Sequence, residues 1–219
     1  MSRRVPSRPL LRYPDREFDE PGSRPYAWSV PSLTRMTDEE YLALERQAET
    51  KSELRDGVMV AMSGASYPHN RLTGNLVGLL WQHLKGRSCG VCPSDMRVYV
   101  PATGLDTYPD ASVVCGEPEL RDGHMDTLLN PVLLIEVLSP STEAWDRGGK
   151  LEQYRTIPSL AEVLLVSQKE PRIEQHVRAV DGWTSTVVLG LESRLALRSL
   201  GLELDLAEVY DKVPFGSYR

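Results

Sequence analysis

The chain has 219 residues, 41% of them hydrophobic, and a formal net charge of −6. That length suffices for one substantial core and lies within the ordinary range of a single domain. The acidic balance argues against a protein that coats polyanions nonspecifically, and no apolar run approaches the ~18–20 residues of a membrane span.

Residues 1 to about 35 contain six prolines and seven arginines with little apolar periodicity. This composition predicts an extended or disordered arm, with one domain over 36–210 and a short tail over 211–219. Arg3 and Arg4 are followed by Pro6, Arg8 and Pro9 rather than by the apolar stretch of a secretory signal, so the expected location is the cytoplasm. Three cysteines, an odd number, fit a reduced intracellular protein better than a disulfide framework. Cys89 and Cys92 form one C-x-x-C pair, but a structural zinc site needs four ligands and no second pair is present.

The domain opens at Thr37-Asp38-Glu39-Glu40, a capping box that predicts a helix to about Glu49 with Tyr41, Leu44 and Ala48 buried. Asp56-Gly57 between two short apolar segments predicts a hairpin, which places Glu53 on its first strand. Leu72, Leu76, Leu79, Leu80 and Leu84 recur at helical spacing and predict a second helix from Tyr67 to Lys85, ended by Gly86. Met96–Val100, Ala111–Val114, Val132–Leu138 and Ala161–Val166 read as strands of one sheet. The continuous apolar run Val132–Ile135 predicts a central strand covered on both faces. A helix is expected over Thr142–Thr156, then a hairpin of Arg172–Arg178 and Trp183–Leu189 around Asp181-Gly182. The segment Leu195–Tyr210 alternates without a clear period. Helices interleaved with strands make the fold class α/β or α+β, a mixed central sheet flanked by helices.

Two acidic residues stand out by position. Asp110 opens a strand after Pro109, and Glu136 lies inside an apolar strand, where an unpaired carboxylate costs several kcal/mol, about 3 or more. Glu136 therefore needs a cationic partner or a bound metal, and hard divalent ions take such oxygen ligands. Asp146, Lys150 and Tyr154 follow at four-residue intervals on one helix face, from which Lys150 can turn back towards Glu136. Carboxylates on neighbouring strands with a lysine beside them form a site able to hold a metal, acidify a water and balance phosphate charge.

Pro109-Asp110, Glu136 and Lys150 resemble the PD-(D/E)XK nuclease signature. The run Ile135–Thr142 followed by Asp146-Arg147, Lys150 and Tyr154 is similar to the Uma-two family of restriction-endonuclease-like proteins, a likeness extending from about Thr37 to about Leu204. The resemblance implies a restriction-endonuclease-like core, with Asp110, Glu136 and the Val137 carbonyl as ligands of Mg²⁺ or Mn²⁺. It implies catalytic roles for Asp110, Glu136 and Lys150, and an auxiliary acidic role for Glu53. The chain departs from the superfamily pattern at Leu138, where the plain E-x-K form has lysine; the resemblance gives that charge to Lys150.

The expected function is metal-dependent endonucleolytic hydrolysis of DNA with 5′-phosphate products, most simply by a homodimer that cuts both strands. Two alternatives stay open: a non-catalytic module that keeps the fold for DNA binding or assembly, and a hydrolase of another phosphate ester. Arg55, Arg71, Lys85, Arg87, Arg97 and Arg147 are the candidate phosphate-contacting cations, and His69 could orient a water or phosphate.

Overall fold

The computed structural model describes residues 35–216, so the expected N-terminal arm falls outside the described residues except for its last position. Thr37 caps helix α1 (Asp38–Glu45) as its sequence predicts: Glu40 N–H donates to the Thr37 hydroxyl, and Thr37 N–H donates to the Glu40 carboxylate at 2.8 Å. The helix ends four residues early. Its buried face is Tyr41, Leu42 and Glu45, whereas Leu44, expected inside, is 52% exposed.

Strands β1 (Ser52–Arg55) and β2 (Val58–Ala61) form the expected hairpin, with both turn residues, Asp56 and Gly57, at positive φ. Helix α2 (Tyr67–Leu84) buries Leu72, Leu76, Leu80 and Leu84 along one stripe and stops before Gly86, whose φ of 78° suits a residue without Cβ. Next come β3 (Cys89–Pro93), β4 (Arg97–Val100), β5 (Leu105–Thr107), β6 (Ala111–Cys115), β7 (Thr127–Leu128) and β8 (Leu133–Leu138).

The expected helix over Thr142–Thr156 is interrupted. A short α3 (Glu143–Trp145) runs into a kinked turn at Asp146–Lys150, where Gly148 leaves helical geometry, and α4 (Leu151–Tyr154) resumes the helix. Strands β9 (Glu162–Ser167), β10 (Arg172–Ala179) and β11 (Gly182–Leu189) follow. The segment left without a period is a hairpin, β12 (Arg194–Leu197) and β13 (Leu202–Asp205), leading to α5 (Leu206–Val209).

The strands divide between sheets, which corrects the expectation of a single one. β11-β10-β9-β8-β6-β3 form a six-stranded mixed sheet in which β8 and β9 run parallel, and β2-β1-β5-β4-β7 form a five-stranded one. Met96–Val100, read as a strand of the central sheet, belongs to the second. Alternation fixes which face a side chain takes, but not which strand its own strand pairs with.

β8 is buried along its whole length between β9 and β6, as its apolar run requires. Leu133, Ile135 and Val137 enter the core under α2, α5 and the β12–β13 hairpin. Leu134 and Leu138 enter a second core shared with β4, β5 and α4. A third, small cluster of Tyr41, Leu42 and Leu54 fastens α1 to β1.

The cysteines also differ from expectation. Cys89 and Cys115 stand directly opposite each other across β3 and β6 and are joined by a disulfide, leaving Cys92 as the free thiol among the described residues. Cross-strand register, invisible in the spacing, brings the two sulfurs together.

Candidate active site

The site forms where the two sheets meet. In the β6–β8 ladder Ala111 pairs with Ile135, so Asp110 and Glu136 are the next positions on the facing strands and project to the same side. Val137 N–H donates to Asp110 Oδ2 at 2.7 Å, which anchors the aspartate at the point where β6 begins. His69, in the first turns of α2, places Nε2 3.2 Å from Asp110 Oδ1. The N–H and C=O of one strand residue point to the same side, so the Val137 carbonyl is also directed to the Asp110 side.

Glu136 occupies the row that holds Leu134 and Leu138 in the second core. Lys150 Nζ lies 2.9 Å from Glu136 Oε1 and 3.1 Å from Glu53 Oε1, and Asp146 Oδ1 is 3.6 Å away. Tyr154 O–H donates to Glu136 Oε1 at 2.6 Å. Glu53 enters from β1 in the other sheet, where the Thr107 hydroxyl donates to Oε1 and Arg55 Nε donates to Oε2 at 2.7 Å. Lys150 thus joins a carboxylate of each sheet.

Glu53, Glu136, Asp146 and Lys150 are 1%, 4%, 4% and 3% exposed, so these are charges out of water rather than a solvated surface cluster. The kinked turn at Asp146–Lys150 positions two of them. Asp146 and Lys150 both turn inwards from it, and the ring of Trp145 packs so closely on Gly149 that an added Cβ there would lie 2.5 Å from a ring carbon. Arg55 in turn stacks on the Trp145 ring, 4.6 Å from its centroid.

Burial pushes the Glu136 carboxyl up to about 8; Lys150 and Tyr154 pull it down, while Asp146 and Asp110 reinforce the rise. Asp146 is raised for the same first reason, loss of water, with Lys150 opposing. Burial also acts on Glu53, but Lys150, Thr107 and Arg55 together bring it below its ordinary range. Lys150 stays charged: burial works against its proton, and Glu136, Tyr154, Glu53 and Asp146 outweigh it.

The four expected side chains therefore come together, with Val137 beside them. Sequence reasoning missed two members. Asp146 and Tyr154, noted only for their spacing with Lys150, were given no role at the site; Asp146 is buried beside Lys150, and Tyr154 holds Glu136. Their signal was the four-residue spacing that puts Asp146, Lys150 and Tyr154 on one helix face. Leu138 occupies the position of the usual lysine, but its side chain belongs to the second core, and the ammonium arrives from the adjoining helix.

These groups line a cleft of about 720 Å³ whose rim is built from hydroxyls and amides, among them Ser66, Asn70, Ser139, Thr142 and Gln168. Gln168 fixes that rim: its Nε2 donates to the Leu138 carbonyl at 2.8 Å and its Oε1 accepts from Ser66 Oγ at 2.8 Å. Of the six candidate phosphate-contacting cations, Arg55 lines the cleft. Arg97 is instead buried against Tyr108 and Thr127, Arg87 is bound to the Leu200 carbonyl, and Arg147 pairs with Glu143 and Glu174.

The donor chemistry fits a hard divalent ion. No three His, Cys, Asp or Glu side chains gather as a metal-holding group among the described residues, so an all-protein cage is not present. Mg²⁺ does not need one, because it keeps several waters and binds through one or two carboxylates. With every carboxyl ionised the cleft sets Glu53, Asp110, Glu136 and Asp146 against Lys51, Arg55 and Lys150, and a dication, by favouring the ionised form of its ligands, opposes the burial that raises Glu136.

Comparison with known proteins places the fold and the family. A crystal structure from Anabaena variabilis, described as "a putative nuclease belonging to DUF820", superposes with a TM-score of 0.66 at 18% identity, covering 80% of this chain and 97% of that one, which establishes the shared fold. Two Synechocystis sp. proteins are similar in sequence. Uncharacterized protein slr1290 is 35% identical over 83% of this chain and 94% of its own length, and uncharacterized protein sll1609 is 39% identical over 71% and 88%. Among the described residues no helix is long and apolar enough to cross a membrane. Residues 38–207 match the Uma2 family, whose description is "Putative restriction endonuclease", and the chain belongs to that nuclease family, with a restriction-endonuclease-like core.

Proposed function

We propose that the protein is a divalent-metal-dependent endonuclease that hydrolyses DNA phosphodiester bonds. The observation that carries this reading is the cross-strand pair Asp110–Glu136 on the floor of an open cleft, with the Lys150 ammonium 2.9 Å from Glu136.

Asp110, Glu136 and the Val137 carbonyl would hold Mg²⁺ or Mn²⁺. A bound ion of this kind acidifies a water and neutralises phosphate charge. Val137 N–H and His69 keep the Asp110 carboxylate oriented, and Tyr154 and Lys150 both fix Glu136 through Oε1. Lys150 would supply positive charge to balance the negative charge that builds up on the phosphoryl oxygens in the transition state. Arg55 and Lys51 stand at the cleft wall, where phosphate contacts are made, and the neutral hydroxyl rim offers further donors. Attack of water on phosphorus with departure of the 3′-oxygen leaves a 3′-hydroxyl and a 5′-phosphate.

A second reading, a DNA-binding or assembly module without catalysis, draws support from one feature: the Lys150 ammonium by itself compensates both Glu53 and Glu136. One experiment separates the two. Purified protein is incubated with supercoiled plasmid and Mg²⁺ or Mn²⁺, alongside Glu136→Gln and Lys150→Ala. Nicking or linearisation that EDTA and both substitutions abolish is the expected result. Retention of DNA in a mobility-shift assay with no cleavage under either metal would favour the non-catalytic module, and cleavage of a small phosphodiester but not of plasmid would favour another phosphate ester.

A further inference from the structure

The outer strands of the sheets are guarded unequally. Among the described residues β2 spans four residues and β7 two, too short to template another chain. β3 ends in Pro93 and is tied to β6 by the Cys89–Cys115 disulfide. The β12–β13 hairpin carries Arg194, Glu203 and Asp205. Lysines, prolines, charges and shortness are the devices by which sheet edges avoid pairing with other chains.

β11 has none of them. It runs for eight residues, Gly182–Leu189, without a charged side chain or a proline, and is paired along its full length with β10 on one side. Among the described residues no strand pairs with its other side, so a row of N–H and C=O groups is presented outward. Trp183, Ser185, Val187 and Leu189 share one face of this strand, and Val187 and Leu189 are 48% and 51% exposed.

We infer that β11 is a self-association surface: two copies of this chain pair β11 with β11 antiparallel, continuing the six-stranded sheet across a twofold axis. The occupant is a second copy because the strand complements itself. In an antiparallel ladder facing residues share a face, so a twofold normal to the sheet must pass through one residue pair of equal parity. With Thr186 on the axis, the half-buried Trp183 of one copy faces Leu189 of the other and Ser185 faces Val187, so the exposed Val187 and Leu189 of each copy are covered by the other. The other row brings Thr184 against Val188. No charge of either copy lies in the paired rows, which matters for a chain of net charge −6 whose copies repel elsewhere.

Sedimentation equilibrium of the full chain over a concentration series tests this without metal or nucleic acid, so its outcome is independent of the nuclease reading. The expected mass is twice the 24.5 kDa of one chain. Thr186→Lys sets two ammonium groups opposite each other on the axis and should weaken association by about tenfold or more, with Val187→Lys acting in the same direction. Far-UV circular dichroism checks that each variant is folded. In a Cys92→Ser background, Thr186→Cys should cross-link two chains on oxidation far more efficiently than Asp181→Cys at the hairpin turn. A single-chain mass at every concentration, or a dimer that both lysine variants and the cross-linking pattern leave unchanged, overturns the inference.

Discussion

Replacing Lys150 by methionine should cost the fold far more than a helix-surface lysine can. An exposed pair at i, i+4, which is how Asp146 and Lys150 read in isolation, contributes about 0.3–0.5 kcal/mol. Lys150 instead lies 3% exposed among Glu53, Glu136 and Asp146, and removing one partner of a buried ion pair costs about 3–5 kcal/mol because the remaining charge is uncompensated. The stranded carboxyls can respond by binding protons. Glu136 and Asp146, already raised, are pushed higher and Glu53 loses the cation that holds it low, so the folded chain holds extra protons and the cost grows as pH rises. Urea unfolding followed by circular dichroism at about pH 5.5 and about pH 8 should show a loss of about 3–5 kcal/mol at the higher pH and a smaller loss at the lower. Adding Glu136→Gln to Lys150→Met should recover about 1–3 kcal/mol, the coupling expected within one network. A loss below about 1 kcal/mol at both pH values would refute the reasoning and return Lys150 to the ordinary surface class.

Gly149→Ala should drive Cβ into the Trp145 ring and cost about 1–3 kcal/mol, read as a lower Tm with a shifted tryptophan emission; an unchanged spectrum would mean that the packing is slack. Tyr154→Phe removes the 2.6 Å hydrogen bond to Glu136 and should weaken Mn²⁺ binding by about tenfold in calorimetry while leaving the fold intact. Unaltered affinity would remove Tyr154 from the site. Asp106 is fully buried, and burial pushes its carboxyl up to about 7 although Arg121 pulls the other way. Its folded value exceeds its unfolded one, so the stability it contributes is complete below about pH 4 and is lost as pH rises through about 7. Asp106→Asn should therefore flatten the fall of Tm between those pH values, and parallel profiles for the two proteins would contradict the assignment.

Much of the centre was legible because burial and chemistry conflict there. Glu136 announces itself as a carboxylate within an apolar strand, and the Asp146–Lys150–Tyr154 spacing fixes a common helix face. What the spacing could not reveal is that both sides of that face are covered: Glu53 meets Lys150 through the five-stranded sheet, a contact set by sheet docking and not by local pattern. The helix was legible over Thr142–Thr156, but its kinked turn at Asp146–Lys150 was not. Two adjacent glycines permit such a turn without requiring it, and the packing of Trp145 on Gly149 decides. Leu44 misled for a related reason. In a helix of eight residues the buried side depends on where Tyr41 inserts, and Tyr41 is fixed from outside the helix by its hydroxyl bond to the Ser52 carbonyl at 2.6 Å. The disulfide escaped because pairing register, not cysteine spacing, brings Cys89 to Cys115.

The ammonium that spans the two sheets also sets an order on folding. Glu53, Asp110, Glu136 and Lys150 come from widely separated stretches of chain, and none of the local elements holds more than a fraction of the site. Helices and hairpins form early from neighbouring residues, whereas contacts between distant segments wait on loop closure. The candidate site is therefore completed late, when the sheets dock. A partly folded chain, rich in secondary structure, would hold its carboxylates apart from the ammonium that compensates them.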